Sequence, residues 1–471
     1  MHHCGWQRIT VDTVEFELAL QMQTSPTSGT PSKGWTTSCL VLGLIAMAFS
    51  LLHMHRASLV ADQQPTDLQT FYEASRLAAG GGNPYAPAPH RFTYIYPPFF
   101  LCVFEPLTSL SYPTCVRLWA LISSIAWLAT IVLSVRSCWP PDRPVPLWTY
   151  GLVALLPYRW ILNHVLHGQI DLIICLMLTL SISASCNGRH VAAGFALAFA
   201  VVIKLLPVAF VGYYAIRCRW RTLGSFCIAS VALFVSPALR FGPPRFVELL
   251  HQWKVGPLLS EIRNPSSDAQ ESNQGLAATI YRYGLPHPLP PPEEQAPALV
   301  KLSVSQVTRI YSVISILIIW LWGRVLHMSR GNPRTDALAF ALTFAVLHLV
   351  GRRSWGYHYV TMSFVYAVLL ATLATYRHRP DLGTRVWLAI VGAGSLQNFY
   401  SPVFVGKHYS ATISSYGPTT ASFVLLIVTI TAVILHLPRG ASEASGGQST
   451  GPAPPIQAFR GDALTMPPSS S

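Results

Sequence analysis

Residues 193–216 read AGFALAFAVVIKLLPVAFVGYYAI, twenty-four positions with one charge, Lys204. A helix needs about 20 mostly apolar residues to cross the hydrocarbon core of a bilayer, where irregular backbone would leave polar groups unsatisfied. The run therefore predicts a membrane-spanning helix. Runs of the same kind recur, centred near Ile45, Val103, Ile125, Val153, Leu176, Ala200, Val231, Leu317, Ala341, Val365, Val391 and Val428. At the usual span length that makes about twelve crossings. Composition agrees: 51% of the 471 residues are hydrophobic and only 11% charged, where a soluble domain carries about a quarter. The predicted fold class is an all-α polytopic membrane protein, with short amphipathic helices in its outer loops. The first run, Trp35–Met54, is followed by polar residues and no small-residue cleavage site, so it reads as an anchor. Residues 1–34 and 439–471 are low in apolar content and read as disordered cytoplasmic tails around a transmembrane domain, 35–438.

The formal net charge is +13, but its distribution argues against nucleic acid. Basic residues cluster in short loops: Arg217, Arg219 and Arg221; Arg324, Arg330 and Arg334; Arg377, Arg379 and Arg385. That is the bias of cytoplasmic loops, with no interleaved aromatic-basic motif. Fixing these loops inside puts 240–301, 351–359, 402–417 and, by parity, 62–98 on the outer side. The cysteines form no CxxC pair, so neither a disulfide frame nor a metal knot is expected.

The outer stretch Ala61–Pro98, ADQQPTDLQTFYEASRLAAGGGNPYAPAPHRFTYIYPP, is too polar to cross a bilayer. Thr66 is a plausible N-cap for a helix from Asp67, which Gly80-Gly81-Gly82-Asn83-Pro84 must end. Leu68, Phe71, Tyr72, Ser75 and Ala79 fall mostly on one face. Asp67 is then either a helix-capping acid or a reactive one set among aromatic side chains such as Tyr72 and Tyr85. An intramembrane lysine marks a functional site unless it snorkels to the interface, which leaves Lys204 two readings. Gln169 and Asp171, in HGQIDLIICLML, either line the same cavity or end a helix. In GRRSWGYHYV, Arg352, Arg353, Trp355 and His358 make a phosphate clamp or an interfacial belt. Asn273, Gln274, Gly275 and Arg282, in ESNQGLAATIYRYG, suggest a re-entrant or surface helix, ahead of a proline-rich spacer.

Taken in order, TDLQTFYEASRLAAGGGNPY, YIYPPFFLCVFEPL, HGQIDLIICLML, AGFALAFAVVIKLLP, ESNQGLAATIYR and RRSWGYHYV resemble glycosyltransferase family 87, of the type C (GT-C) superfamily. The likeness runs from about Asp67 to Tyr359. It implies transfer of a hexose or pentose, often mannose, from a polyprenyl-phosphate donor to a lipid or glycan hydroxyl on the non-cytoplasmic face of the plasma (inner) membrane. Carried over by position, Asp67 is the catalytic base, Lys204 the lysine of the lysine-proline block, Asn273 and Gln274 the outer-loop motif, and His358 the histidine after Ser-Trp. The sequence departs from the pattern in that Gly275 replaces a serine, Arg353 replaces a proline, and Leu205 and Leu206 separate Lys204 from Pro207.

The chemistry of the residues agrees. Displacing a lipid-held phosphate needs a base on the acceptor hydroxyl and positive charge on the leaving group. Asp67 and His358 are the catalytic candidates; Arg352, Arg353 and Lys204 would hold the donor phosphate. Tyr72, Tyr85, Gln169, Asn273, Gln274 and Trp355 are the substrate-binding candidates. GGGNPY lacks the strand-turn-helix setting of a nucleotide loop, as suits a lipid donor. No cofactor is certain from the sequence; a divalent cation is left open, with only the scattered Asp62, Asp67 and Glu73 to bind it. The competing reading is a multi-span transporter or flippase for a lipid-linked sugar, which predicts repeat symmetry and broken helices at mid-membrane. A scaffold without chemistry explains neither Lys204 nor the arginine pair.

Overall fold

The computed structural model describes residues 66–87, 92–141, 143–258, 270, 272–286, 299–376 and 379–437. The Ile45 span, both predicted tails and the proline-rich spacer lie outside them. Everything described is helix and connection; the one β-type pairing among these residues is a bridge between Asn273 and Trp355. Among the described residues six helices are long and apolar enough to cross a membrane, seven if the bent pair Pro380–Asn398 and Pro402–Ser415 is one span.

About twelve spans were expected, one of which, near Ile45, lies outside the described residues. Several predicted spans are short or broken at prolines. The run around Val103 is a helix over Pro98–Phe104 followed by a 3-10 turn, Glu105–Ser109. Arg240 pairs with Glu105, Nε donating to Oε2 at 2.8 Å, which accounts for a carboxylate in an apolar stretch. The run around Val153 divides into Leu147–Leu155 and Tyr158–His167 at Pro157.

The opening run is broken as well. Pro207 has no N–H for the Ile203 carbonyl, and its ring crowds that carbonyl. The helix His190–Ile203 accordingly stops at Lys204, whose backbone is extended (φ −140°, ψ 124°). A 3-10 turn, Leu206–Val208, leads into a second helix, Ala209–Ile216. Lys204 therefore sits at a break and not inside a continuous helix.

Small residues let neighbouring helices approach closely. A Cβ on Gly194 would come within 2.6 Å of the Phe226 N and 2.7 Å of the Thr222 carbonyl, so only glycine allows His190–Ile203 to lie this near Trp220–Val235. His190–Ile203 also packs on Asp171–Cys186, which packs on Tyr112–Cys138, which packs on Met362–Thr375. On the other side, Pro418–His436 packs against Asp336–Val350 and Pro380–Asn398. Phe210 seals the second half of the broken helix, its ring 4.5 Å from that of Phe340 and 4.6 Å from that of Phe344.

Arg217, assigned from sequence to a short basic loop on the cytoplasmic side, is buried. Its guanidinium donates to the Asp336 carboxylate (Nε at 3.0 Å), the Ser329 carbonyl at 2.7 Å and the Asn332 carbonyl at 3.1 Å. Arg219 pairs with the other Asp336 oxygen. A charge buried this deeply is tolerated only when paired and hydrogen-bonded. The brace fastens the turn before Asp336–Val350 to the end of Ala209–Ile216.

Candidate functional site

Asp67 opens the helix Asp67–Ala79, but Thr66 caps it: Thr66 Oγ1 accepts from the Gln69 N–H at 3.2 Å. The capping reading of Asp67 is thus replaced by one in which its carboxyl is available to a hollow of about 890 Å³. The first-turn position favours the negative charge through the helix dipole. Burial acts the other way and more strongly, pushing the Asp67 carboxyl up to about 6, with the Gln169 side-chain hydrogen bond and the charge of Lys204 holding it from rising further.

The helix is fixed against the turn before Asp171. Gly168 has φ +67°, a conformation that costs glycine nothing, and a Cβ there would meet the Leu68 Cβ at 2.5 Å. Trp119 Nε1 donates to the Gly168 carbonyl at 2.9 Å. Beneath, Phe71 meets Tyr96 and Phe100 edge-on with ring centres 5.1 and 5.0 Å apart. Gly168→Ala is expected to force Leu68, and with it Asp67, out of place. Transfer should fall by at least about tenfold and the melting temperature should drop, from strain plus overpacking of roughly 2–4 kcal/mol. Activity and melting both unchanged in Gly168→Ala membranes would contradict this packing.

Gln169 lines the hollow beside Asp67. Its Oε1 accepts from the Tyr96 hydroxyl at 3.1 Å, which assigns the amide nitrogen to the Asp67 carboxylate. Lys204 Nζ donates to both Asp171 oxygens, at 2.8 and 2.9 Å. Neither snorkelling for Lys204 nor a plain helix-end role for Asp171 describes this pair. Lys204 also faces the hollow, 6.0 Å from the Tyr96 ring centre and 5.8 Å from that of Tyr357.

Residues far along the chain form the opposite wall. Arg353, Trp355 and His358 line the hollow with Gln274. His358 Nδ1 accepts from the Trp355 N–H at 3.3 Å, which leaves Nε2 for another partner. Asn273 builds this wall without reaching the hollow: its Oδ1 accepts from the Gly275 N–H at 3.1 Å and the Ser354 N–H at 2.9 Å, and its Nδ2 donates to the Arg352 carbonyl at 2.9 Å. Its predicted substrate contact is therefore a scaffold contact. Gln274 Nε2 donates to the Ser414 carbonyl at 2.8 Å.

Asp67, Gln169, Lys204, Gln274, Arg353, Trp355 and His358 therefore come together. Tyr72, Tyr85 and Arg352 do not line the hollow. The Tyr72 hydroxyl donates to the Leu110 carbonyl at 2.7 Å and the Tyr85 hydroxyl to the Tyr96 carbonyl at 3.2 Å, so both serve the fold. Tyr96, Tyr357, Arg159 and Lys407 line the hollow and were not singled out from sequence. The only sequence signal for Arg159 was a charge inside the apolar run centred near Val153. Among the described residues no three His, Cys, Asp or Glu side chains gather as a cation site, and Asp62 lies outside them.

The family model described as "Glycosyltransferase family 87" matches residues 94–350, more than half of the chain. The chain belongs to glycosyltransferase family 87. This family 87 protein is a multi-pass membrane glycosyltransferase. It is similar to the "polyprenol-phosphate-mannose-dependent alpha-(1-2)-phosphatidylinositol mannoside mannosyltransferase" of Mycolicibacterium smegmatis, 25% identical over 399 residues, covering 79% of this chain and 81% of that protein. Crystal structures of ArnT from Cupriavidus metallidurans, bound to undecaprenyl phosphate and in the apo state, are more distant. They are 14% and 12% identical, with TM-scores of 0.38 and 0.40, over 86% of this chain and 78% of theirs. So slight a likeness carries no argument about chemistry. In the family 87 chain the glycine at 275 has a steric reason: a Cβ there would lie 2.6 Å from the Gly351 carbonyl and 3.2 Å from the Ser354 Cβ.

Proposed function

We propose that this family 87 enzyme moves mannose, or another hexose or pentose, from a polyprenyl phosphate to a lipid or glycan hydroxyl on the non-cytoplasmic face of the plasma membrane, by one displacement with Asp67 as base. The observation that supports this most is the convergence of Asp67 with Lys204, Arg353 and His358 on one hollow, although they lie up to hundreds of positions apart. In the step, the acceptor O–H gives its proton to the Asp67 carboxylate as its oxygen bonds to the sugar C1. The C1–O bond to phosphate breaks, and the polyprenyl phosphate leaves with the electron pair. Arg353 and the His358 Nε2–H meet the charge that develops there. Lys204 contributes mainly through Asp171 and by favouring ionised Asp67. One displacement inverts the anomeric centre. The relative's printed dependence on polyprenol-phosphate mannose supports mannose as the sugar.

Two broken helices, at Lys204 and between Asn398 and Pro402 with a bend of 77°, are the feature a transporter reading predicts. Membranes carrying the protein, given labelled polyprenyl-phosphate mannose, are expected to place label in a glycolipid or glycan. Label crossing sealed vesicles with no new glycosidic bond would favour the transporter.

The acid limb of the reaction follows from Asp67. The carboxylate must be ionised to take a proton, so kcat/KM is expected to fall as pH drops through about 6. An ordinary aspartate would keep the enzyme active down to about pH 4, and a flat profile to that pH would count against Asp67.

A further inference from the structure

The acid of the proposed step has a neutral neighbour that the step leaves unused. Gln169 is buried and its backbone is held: its N–H donates to the His164 carbonyl at 3.2 Å, and the preceding Gly168 carbonyl accepts from Trp119 Nε1. The freedom that remains is in the side-chain amide. The two ends of an amide have nearly the same size and opposite hydrogen-bonding character, so a half-turn exchanges a donor for an acceptor. With its nitrogen toward Asp67, the amide favours the ionised carboxylate. With its oxygen there, it repels the carboxylate and accepts from the protonated form. A general base has to start ionised, which requires the first orientation.

Tyr96 imposes that orientation. Its hydroxyl lies 3.1 Å from Gln169 Oε1. Burial, and then the nearby charges of Asp171 and Asp67, push the phenol well up, so it keeps its proton and acts as a donor. Lys204, 6.0 Å from the Tyr96 ring centre, carries only donors and is paired with Asp171. Turning the Gln169 amide over would set its NH2 against the phenol O–H, donor to donor. The Tyr96 ring is itself wedged, 5.1 Å from the Phe71 centre and 5.3 Å from that of Phe100, and its carbonyl accepts from the Tyr85 hydroxyl.

The other ionisable groups around Asp67 do less. Lys204 lowers its pKa and Asp171 raises it, while the Gln169 hydrogen bond is the largest influence holding the carboxyl down. On the elements packed against the Asp67 helix, Glu105 is paired with Arg240 and the Tyr112 hydroxyl meets Thr66 Oγ1 at 3.2 Å. Neither they nor Cys102, Cys115 and Arg117 line the hollow. Across it stand His167, Arg353, Tyr357 and His358, which the replacements below leave in place.

We propose that Tyr96 is a positioning residue for the transfer: its hydroxyl holds the Gln169 amide nitrogen toward Asp67, so that the acid taking the acceptor's proton faces a donor and not an acceptor. The proposal deepens the reading of Asp67 as base and rests on it.

The test follows kcat/KM against pH for full-length protein in lipid nanodiscs, with polyprenyl-phosphate mannose as donor and lipids extracted from the organism's own membranes as acceptor. Wild type is compared with Tyr96→Phe, Gln169→Met and the double replacement. Tyr96→Phe removes one oxygen and keeps the ring. The amide is then free to turn its oxygen to protonated Asp67, which stabilises that form. The acid limb should move from about pH 6 to about pH 7, the effect of one hydrogen bond. The ratio of kcat/KM at pH 8 to that at pH 6 should rise from about two to about ten, whatever fraction of the variant folds. Gln169→Met should move the limb the same way, and the double replacement should match Gln169→Met alone, because Tyr96 acts through the amide. A limb still near pH 6 in Tyr96→Phe, or shifts that add in the double replacement, would overturn the proposal.

Thermal unfolding against pH reports the same ionisation without catalysis. The folded carboxyl lies above its unfolded value, so its contribution to stability is fully present below about pH 4 and is lost as pH rises through the folded pKa. That loss should centre about one pH unit higher in Tyr96→Phe than in wild type; coincident curves would overturn the proposal. Failure of the base reading is distinct: Asp67→Asn would then keep transfer, and the melting curves alone would decide whether Tyr96 governs the ionisation of Asp67.

Discussion

Asp67→Asn is expected to lower the turnover number for sugar transfer about a thousandfold, the contribution of a well-placed general base. The replacement keeps the shape of the side chain, the Thr66 cap and the packing of Leu68 on Gly168, so the fold should persist. Stability gives the check. The folded carboxyl is held up to about 6, mainly by burial, so the folded protein binds a proton more readily than the unfolded chain between the two pKa values. The stability this contributes is fully present below the ordinary aspartate pKa near 4 and is lost as pH rises through about 6. At pH 7 the wild type therefore carries the cost of ionised Asp67, and Asp67→Asn should melt no lower. Wild type should gain stability on the same acid limb where it loses activity, with Asp67→Asn lacking that gain. Retention of more than about a tenth of wild-type turnover would remove Asp67 from the role of base.

The second large effect concerns the ion pair at the broken helix. Lys204 and Asp171 are 14% and 6% exposed along their side chains and 2.8 Å apart. Lys204→Met leaves the Asp171 carboxylate buried without a counter-ion, a loss of about 3–5 kcal/mol. A lysine snorkelling to the headgroups would be replaced at well under about 1 kcal/mol. Thermal unfolding in detergent separates the two outcomes. The double replacement Lys204→Met with Asp171→Leu should recover most of the loss, because no lone charge then remains. It should not recover activity, because Lys204 lines the hollow; the acid limb should move only a little, to higher pH, since Lys204 lowers the Asp67 pKa somewhat more than Asp171 raises it.

How far the sequence could be read differs from element to element, for physical reasons. The helix at Asp67 and its Thr66 cap were legible because capping is local chemistry, written in consecutive residues. The class of fold was legible because a bilayer demands long apolar runs. The span count was less so, since Pro157 and Pro207 break runs that look continuous by hydropathy. Lys204 stood out as a charge in an apolar run, but its partner Asp171 was left among polar residues that could line a cavity or end a helix. A pairing across two helices leaves no local trace. Tyr72 and Tyr85 looked like sugar ligands from type alone, and only the fold reveals that their hydroxyls are spent on backbone carbonyls. Asn273 was likewise placed in the right region with a different task, tying the 352–355 segment in place. Arg159 was passed over because a cation resting on Tyr400 depends on a contact with a residue hundreds of positions away.

The claim at the centre is a single displacement from a lipid-held phosphate across one shared hollow. Its most direct test is the anomeric configuration of the product formed by purified protein from polyprenyl-phosphate mannose, read by NMR of the new glycosidic carbon and proton. The account predicts a product inverted relative to the donor. A retained configuration, which requires a covalent or otherwise doubly displaced intermediate, would contradict it.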